Sequence, residues 1–114
     1  MRNVTMTIPS GDSVSGVLAL NGDSPVAFHA PSAWTTAAMQ IEATINGTDW
    51  ITVINDEVGS TTGNYSALTA NAGYAVDFKS FLGYRGIRLR SGSAGSPVNQ
   101  AADRVFTVSV RYFQ

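Results

Sequence analysis

The chain has 114 residues, of which 44% are hydrophobic and only 13% are charged, and its formal net charge is −1. This length predicts one domain over residues 1–114 with one hydrophobic core. The charge balance excludes the basic surface that a phosphate backbone requires, so no nucleic acid partner is expected. The chain has no cysteine, which excludes disulfides and thiolate chemistry.

Nothing in the sequence predicts a membrane partner. No apolar run approaches the roughly 20 residues that span a bilayer, and the first residues lack the apolar stretch of a signal peptide. We therefore expect a product that is made and folded in the cytoplasm. The glycosylation sequons at Asn3, Asn46 and Asn64 are interpreted as coincidences in a chain rich in Ser and Thr.

Short alternating segments predict strands from the start of the chain. Val4, Met6 and Ile8 alternate with polar residues before a turn signal at residues 9–12. Two further apolar segments at residues 17–20 and 26–29 end at Asn-Gly and Pro signals. A set of short strands separated by tight turns is therefore expected in the first third of the chain.

Residues 38–54 predict a β-hairpin. Met39, Ile41, Ala43 and Ile45 alternate with polar residues, which places them on one buried face. The Asn46-Gly47 pair follows, and both residue types tolerate the positive φ of tight hairpin turns. A second strand is expected over residues 50–54.

The second half of the chain predicts a loop followed by three strands. Residues 55–64 hold almost nothing to bury and are expected to form an exposed loop. Strands are expected around residues 74–78, 87–89 and 106–112, with Tyr74 and Tyr112 on core faces. Between the first two, Lys79 to Tyr84 predicts one helical turn in which Phe81 and Leu82 cap the core.

About eight short strands, separated by turn signals every ten residues or so, predict an all-β fold. Crossover helices are missing, so the sheets are expected to be antiparallel. The sequence thus predicts an antiparallel β-sandwich, jelly-roll-like, with at most one short helical turn.

The sequence contains no complete set of catalytic side chains or metal ligands. No enzymatic activity or cofactor is therefore expected. Gly11-Asp12-Ser13 looks like a nucleophile turn, but a serine hydrolase also needs a positioned histidine base and carboxylate. The one histidine, His29, cannot build a zinc site alone. Asp56-Glu57 lacks the spacing of a dedicated calcium loop, and a calcium ion there stays open.

Two other groups of side chains have both a binding and a packing interpretation. Trp34 and Tyr65 are the best placed aromatic residues to stack against a sugar ring, although packing is the favoured interpretation. Arg85, Arg88 and Arg90 are interpreted as a solvated charged face.

Several segments, taken in order, resemble a family of small structural proteins encoded by tailed bacteriophages and prophages. They are residues 8–11 with 15–16, residues 30–35 with 37–38, and residues 47–50, 81–92 and 97–104. The most specific part runs from Arg90-Ser91-Gly92 to Pro97-Val98-Asn99-Gln100-Ala101. The resemblance implies a virion component of jelly-roll type.

This resemblance and the composition together lead to the functional expectation of a capsid decoration or cement subunit. The expected partners are further copies of the chain, in a small homo-oligomer such as a trimer, and other virion proteins such as the major capsid protein. The expected docking segment spans residues 91–102, with Ser91, Pro97, Val98, Asn99 and Gln100 as interface residues. The alternative is a glycan-binding module of the tail or baseplate that uses Trp34 or Tyr65.

Overall fold

Two main antiparallel sheets face each other in the computed structural model, which describes residues 2–55, 60–61 and 63–112. The fold is an all-β sandwich, as the alternation predicted. The strands are β1 Arg2–Ile8, β2 Leu18–Ala19, β3 Asp23–His29, β4 Met39–Thr44, β5 Ile51–Thr52, β6 Ile54–Asn55, β7 Ser60–Thr61, β8 Asn64–Tyr65, β9 Gly73–Ala75, β10 Gly86–Ser91 and β11 Arg104–Tyr112. One turn of 3-10 helix covers Phe78–Phe81, and the described residues hold no helix long and apolar enough to cross a membrane.

The first sheet has the strand order β1-β11-β3-β9. β11 lies beside β1 over seven consecutive residue pairs, from Arg2 opposite Val110 to Ile8 opposite Arg104. Its register with β3 shifts between Ser109 and Val110, where Pro25 is the next partner. Proline has no N–H to donate, so the ladder is interrupted at this point and a bulge forms.

The second sheet has the order β2-β10-β4-β5, and β8 pairs directly with the first two residues of β4. All six residues of β4 are buried, because its inner face packs in the core while its outer face is covered by neighbouring side chains. β6 and β7 form a separate two-stranded ribbon within the stretch predicted to be a loop. Residues 56–59 and 62 of that stretch lie outside the described residues.

The core fills the space between the two sheets. Phe106 and Ile8 from the first sheet and Ile41 and Leu89 from the second are each at most 1% exposed. Phe81, from the 3-10 turn, is completely buried and closes one end. The helical turn and the burial of Phe81 are thus confirmed, whereas Leu82 is 42% exposed and does not cap the core.

The predicted hairpin is present, since Ala43 pairs with Ile51 and Glu42 with Thr52. Its turn differs from the expected one in that Gly47 has a positive φ of 88° and Asn46 does not. The Asn46 side chain works instead through Oδ1, which accepts hydrogen bonds from the backbone N–H groups of Thr48 (2.9 Å) and Asp49 (2.8 Å). This is an Asx turn, in which the side chain satisfies the loop backbone.

Two residues assigned to core faces are exposed. Ile45 is 66% exposed because it follows the last paired residue of β4 and begins the turn. Tyr112 is 58% exposed because it ends β11 beyond the bulge, where its ring lies against Gly22. Alternation therefore identifies the buried faces of these strands correctly, but each buried face ends before the last residue of the alternating pattern. The jelly-roll connectivity stays a prediction.

Candidate interaction surfaces

Residues 91–102, which we call the arm, connect β10 to β11 and are anchored by one buried side chain. Gln100 is 1% exposed. Its Oε1 accepts from the Thr35 N–H (2.9 Å) and from Arg104 Nε (3.0 Å). Its Nε2 donates to the Thr35 carbonyl (3.2 Å) and to Ser91 Oγ (2.7 Å). All four hydrogen-bonding positions of the amide are thus occupied.

Two of the five residues predicted to form the interface, Ser91 and Gln100, are buried within the chain. Ser91 is completely buried, and its N–H donates to the Ser13 carbonyl at 2.6 Å. These side chains cannot face a partner, because they hold the two ends of the arm together. Of the five predicted interface residues, Pro97 and Asn99 are exposed and Val98 is half-buried.

The tip of the arm is a small hairpin that only glycine permits at its base. Gly92 has φ of +82°, and a Cβ at this position would meet the Ser96 carbonyl oxygen and lie 2.8 Å from the Val98 nitrogen. Ser93 and Ser96 exchange backbone hydrogen bonds of 3.1 Å across the tip. The arm therefore presents Pro97 and Asn99 from a fixed backbone.

The two aromatic candidates are packed against the core. The Trp34 ring meets Phe106 edge-on at 5.6 Å between centroids, and its indole N–H donates to the Ala37 carbonyl at 3.0 Å. The Tyr65 ring meets Phe28 edge-on at 5.1 Å, and its hydroxyl donates to the Ala75 carbonyl at 3.0 Å. Burial raises the pKa of Tyr65 to about 12.

A cluster of charges that the sequence analysis missed lies on the outer face of the second sheet. The Glu42 side chain is 3% exposed, and its two oxygens accept from Arg88 Nε (2.8 Å) and Arg90 Nε (2.9 Å). The Arg88 guanidinium also lies over the Trp50 ring, 4.6 Å from its centroid. The solvated face is therefore wrong for Arg88 and Arg90, whose side chains are 21% and 15% exposed, whereas Arg85 is exposed as predicted. Gln40 adjoins the cluster, and its Oε1 is buried with no hydrogen-bond partner among the described residues.

The cross-strand register brings this cluster together. Arg88 lies opposite Glu42 and Arg90 opposite Gln40 on neighbouring strands. The alternation of β4 and β10 places these side chains on outer faces, but only the pairing of the two strands, which the alternation does not specify, brings them together in the cluster. Its satisfied ion pairs hold the two strands together.

The middle of the outer face of the first sheet carries mostly small side chains without formal charges, and Arg111 lies near one end of this face. One row across it runs Asn3, Ser109, Ala27, Ala75, and the next runs Thr5, Thr107, His29, Gly73. His29 is exposed there, and its Nε2 donates to the Asn71 carbonyl at 3.0 Å. A partner that packed against these two rows would bury few charged groups. Such a low content of charged residues is typical of the buried centre of a protein interface.

The residues considered for catalysis and metal binding lie in separate places. Ser13 is beside β10, where its carbonyl accepts from Ser91, and His29 is on the outer face of the other sheet. Asp103 accepts from the Ser10 N–H at 2.8 Å and is thus used to hold a loop. No group of three or more His, Cys, Asp or Glu side chains in the described part of the chain is placed to hold a metal ion. Asp56 and Glu57 lie outside the described residues.

The comparisons with known proteins give one similar structure. Neither a protein-family model nor a curated protein matches this chain. Its fold is similar to that in the crystal structure of SPBc2 prophage-derived protein YomS, with a TM-score of 0.54. The similarity covers 95% of this chain and 94% of that chain at 10% sequence identity. At this identity, the likeness shows a shared fold.

Proposed function

We propose that this chain is a bacteriophage structural protein and that it acts as a decoration or cement subunit of the capsid. The observation that carries the proposal is the fold shared with a prophage-derived protein over nearly the whole of both chains. The sequence resemblance to small structural proteins of tailed bacteriophages supports the same assignment.

The surfaces of the sandwich fit such a role. The arm presents Pro97 and Asn99 from a backbone fixed by Gln100, so that little conformational entropy is lost when a partner binds. The first sheet offers an outer face whose only formally charged strand residue among those described is Arg111, near one end. Repeated subunit contacts of this kind are typical of assemblies built by symmetry.

The mechanism of a cement subunit is a shift of the assembly equilibrium. A protein that binds only the assembled shell stabilises it by mass action, by a free energy that grows with the logarithm of the ratio of its concentration to the dissociation constant. This mechanism involves no covalent chemistry.

Binding to purified shells of the encoding phage tests this proposal, with the shells stripped of their auxiliary proteins. The protein should cosediment with the shells and raise their melting temperature. Asn99→Arg places a bulky charge on the arm and should weaken binding, whereas Ala67→Arg, on an exposed loop, should leave it unchanged. Failure of the unmodified protein to bind any shell would contradict the proposal.

The glycan-binding alternative depends on Trp34 and Tyr65. Both rings pack edge-on against core aromatic residues, and both polar groups bond to the backbone. Neither ring is presented as an open stacking platform, so we do not put this alternative forward.

A further inference from the structure

The outer edge of β1 is the longest edge that the two sheets present. β11 pairs with one side of β1 over seven residues without a register shift, and no described segment pairs with the other side. The other outermost strands are shorter, since β9 has three residues and β2 and β5 have two each. The first sheet thus ends in a regular row of backbone N–H and C=O groups.

Natural proteins protect such edges with charged side chains, prolines or bulges, because an unprotected edge pairs with another strand. β1 has no proline and no bulge. Its one charged residue, Arg2, lies at the end of the strand and forms an ion pair with Asp23 of its own chain at 3.0 Å. The middle of the strand, around Thr5, carries no charge.

We propose that β1 pairs antiparallel with β1 of a second copy, about a two-fold axis at Thr5. The inference deepens the proposed function and rests on it only for its biological setting. The pairing joins two four-stranded sheets into one continuous sheet, and it makes an isologous contact that closes at a dimer.

The sequence of β1 is complementary to itself in this register. Val4 lies opposite Met6 of the partner subunit on the core side, and Asn3 lies opposite Thr7 of the partner subunit on the outer side. Arg2 lies opposite Ile8 of the partner subunit, so no like charges face each other. A second copy therefore fits this edge without an unfavourable pair, and the uncharged rows in the middle of the outer face continue across the junction.

The area buried by this strand pairing gives a scale for the affinity of the dimer. Two seven-residue strands bury on the order of 1,000 Å² in total, which is at the low end of specific interfaces. We therefore expect a reversible dimer with a dissociation constant on the order of micromolar, which becomes fully occupied when subunits are concentrated on a surface.

Sedimentation equilibrium of the full chain over a range of concentrations tests the proposal. The unmodified protein should fit a monomer–dimer equilibrium. Thr5→Lys places two ammonium groups opposite each other at the two-fold axis and should raise the dissociation constant about fivefold, as should Thr5→Glu. An equimolar mixture of the two variants should restore association, which a folding defect could not do.

Thr107→Lys is the matched control. Thr107 is exposed on the same face, directly beside Thr5 but one strand away from the edge. It should leave the dimer intact. A larger effect of Thr107→Lys than of Thr5→Lys would overturn the proposal in favour of face-to-face packing.

Other results would also overturn it. A protein that stays monomeric at millimolar concentration, or that forms a trimer, would contradict the pairing of β1 with β1. A monomer whose binding to shells is weakened by Thr5→Lys would assign the edge to a strand of a shell protein. Shell binding and dimerisation are measured separately, so a dimer that fails to bind shells contradicts the proposed function and leaves the edge pairing intact.

Discussion

Replacing Gln100 with alanine should be among the most destabilising single changes in the arm. The substitution removes four side-chain hydrogen bonds, one of them to the charged Arg104, in a fully buried site. At about 1 kcal/mol for each bond, with more for the charged one, the free energy of unfolding falls by about 4 kcal/mol. For a domain of this size, the melting temperature should fall by about 15 °C.

Chemical denaturation with a fluorescence readout measures the loss, and two variants identify its cause. Asn99→Ala changes the exposed neighbour and should lie within about 0.5 kcal/mol of the unmodified protein. Gln100→Met fills the volume without restoring the hydrogen bonds, so it should recover less than half of the lost stability. A Gln100→Ala protein within 1 kcal/mol of the original, or full recovery with methionine, would refute the role given to the amide.

Three further changes test other parts of the structure. Gly92→Ala should destabilise the fold, because a Cβ there meets the backbone of the arm, whereas Gly95→Ala, with open space around it, should be nearly neutral in thermal melts. Glu42→Ala leaves two half-buried arginines unpaired and should lower the free energy of unfolding by about 3 kcal/mol, measured by denaturant titration; an unchanged midpoint would contradict this. The raised pKa of Tyr65, about 12, predicts that the contribution of Tyr65 to the free energy of unfolding is fully present below pH 10 and is lost as the pH rises toward 12, because the unfolded state ionises first. The decline above pH 10 should be smaller in Tyr65→Phe, and equal declines in both proteins would contradict this origin.

The sheet architecture was predictable because alternation has a period that few other structures share. Met39, Ile41 and Ala43 alternate with polar residues and are buried in β4. Strand ends were less predictable. Ile45 continues the alternation in sequence, but the Asx turn at Asn46 takes the backbone out of the sheet at that point.

The buried polar contacts of the site could not be predicted from one sequence. Gln100 lies in a segment that has the amino-acid composition of a surface loop. Only the tertiary structure brings Thr35 and Ser91 to its amide group. Glu42 and Arg88 lie on strand faces that the alternation predicts to be exposed to solvent. Their burial follows from the pairing of two strands that are distant in sequence, which alternation within each strand does not specify.

Quantitative mass spectrometry of purified virions, from a phage or prophage whose genome encodes this chain, tests the proposed decoration role. We expect this chain in a copy number comparable with that of the major capsid protein. Its absence from intact particles, together with its recovery only in the lysate, would contradict the claim that this sandwich is a structural part of the virion.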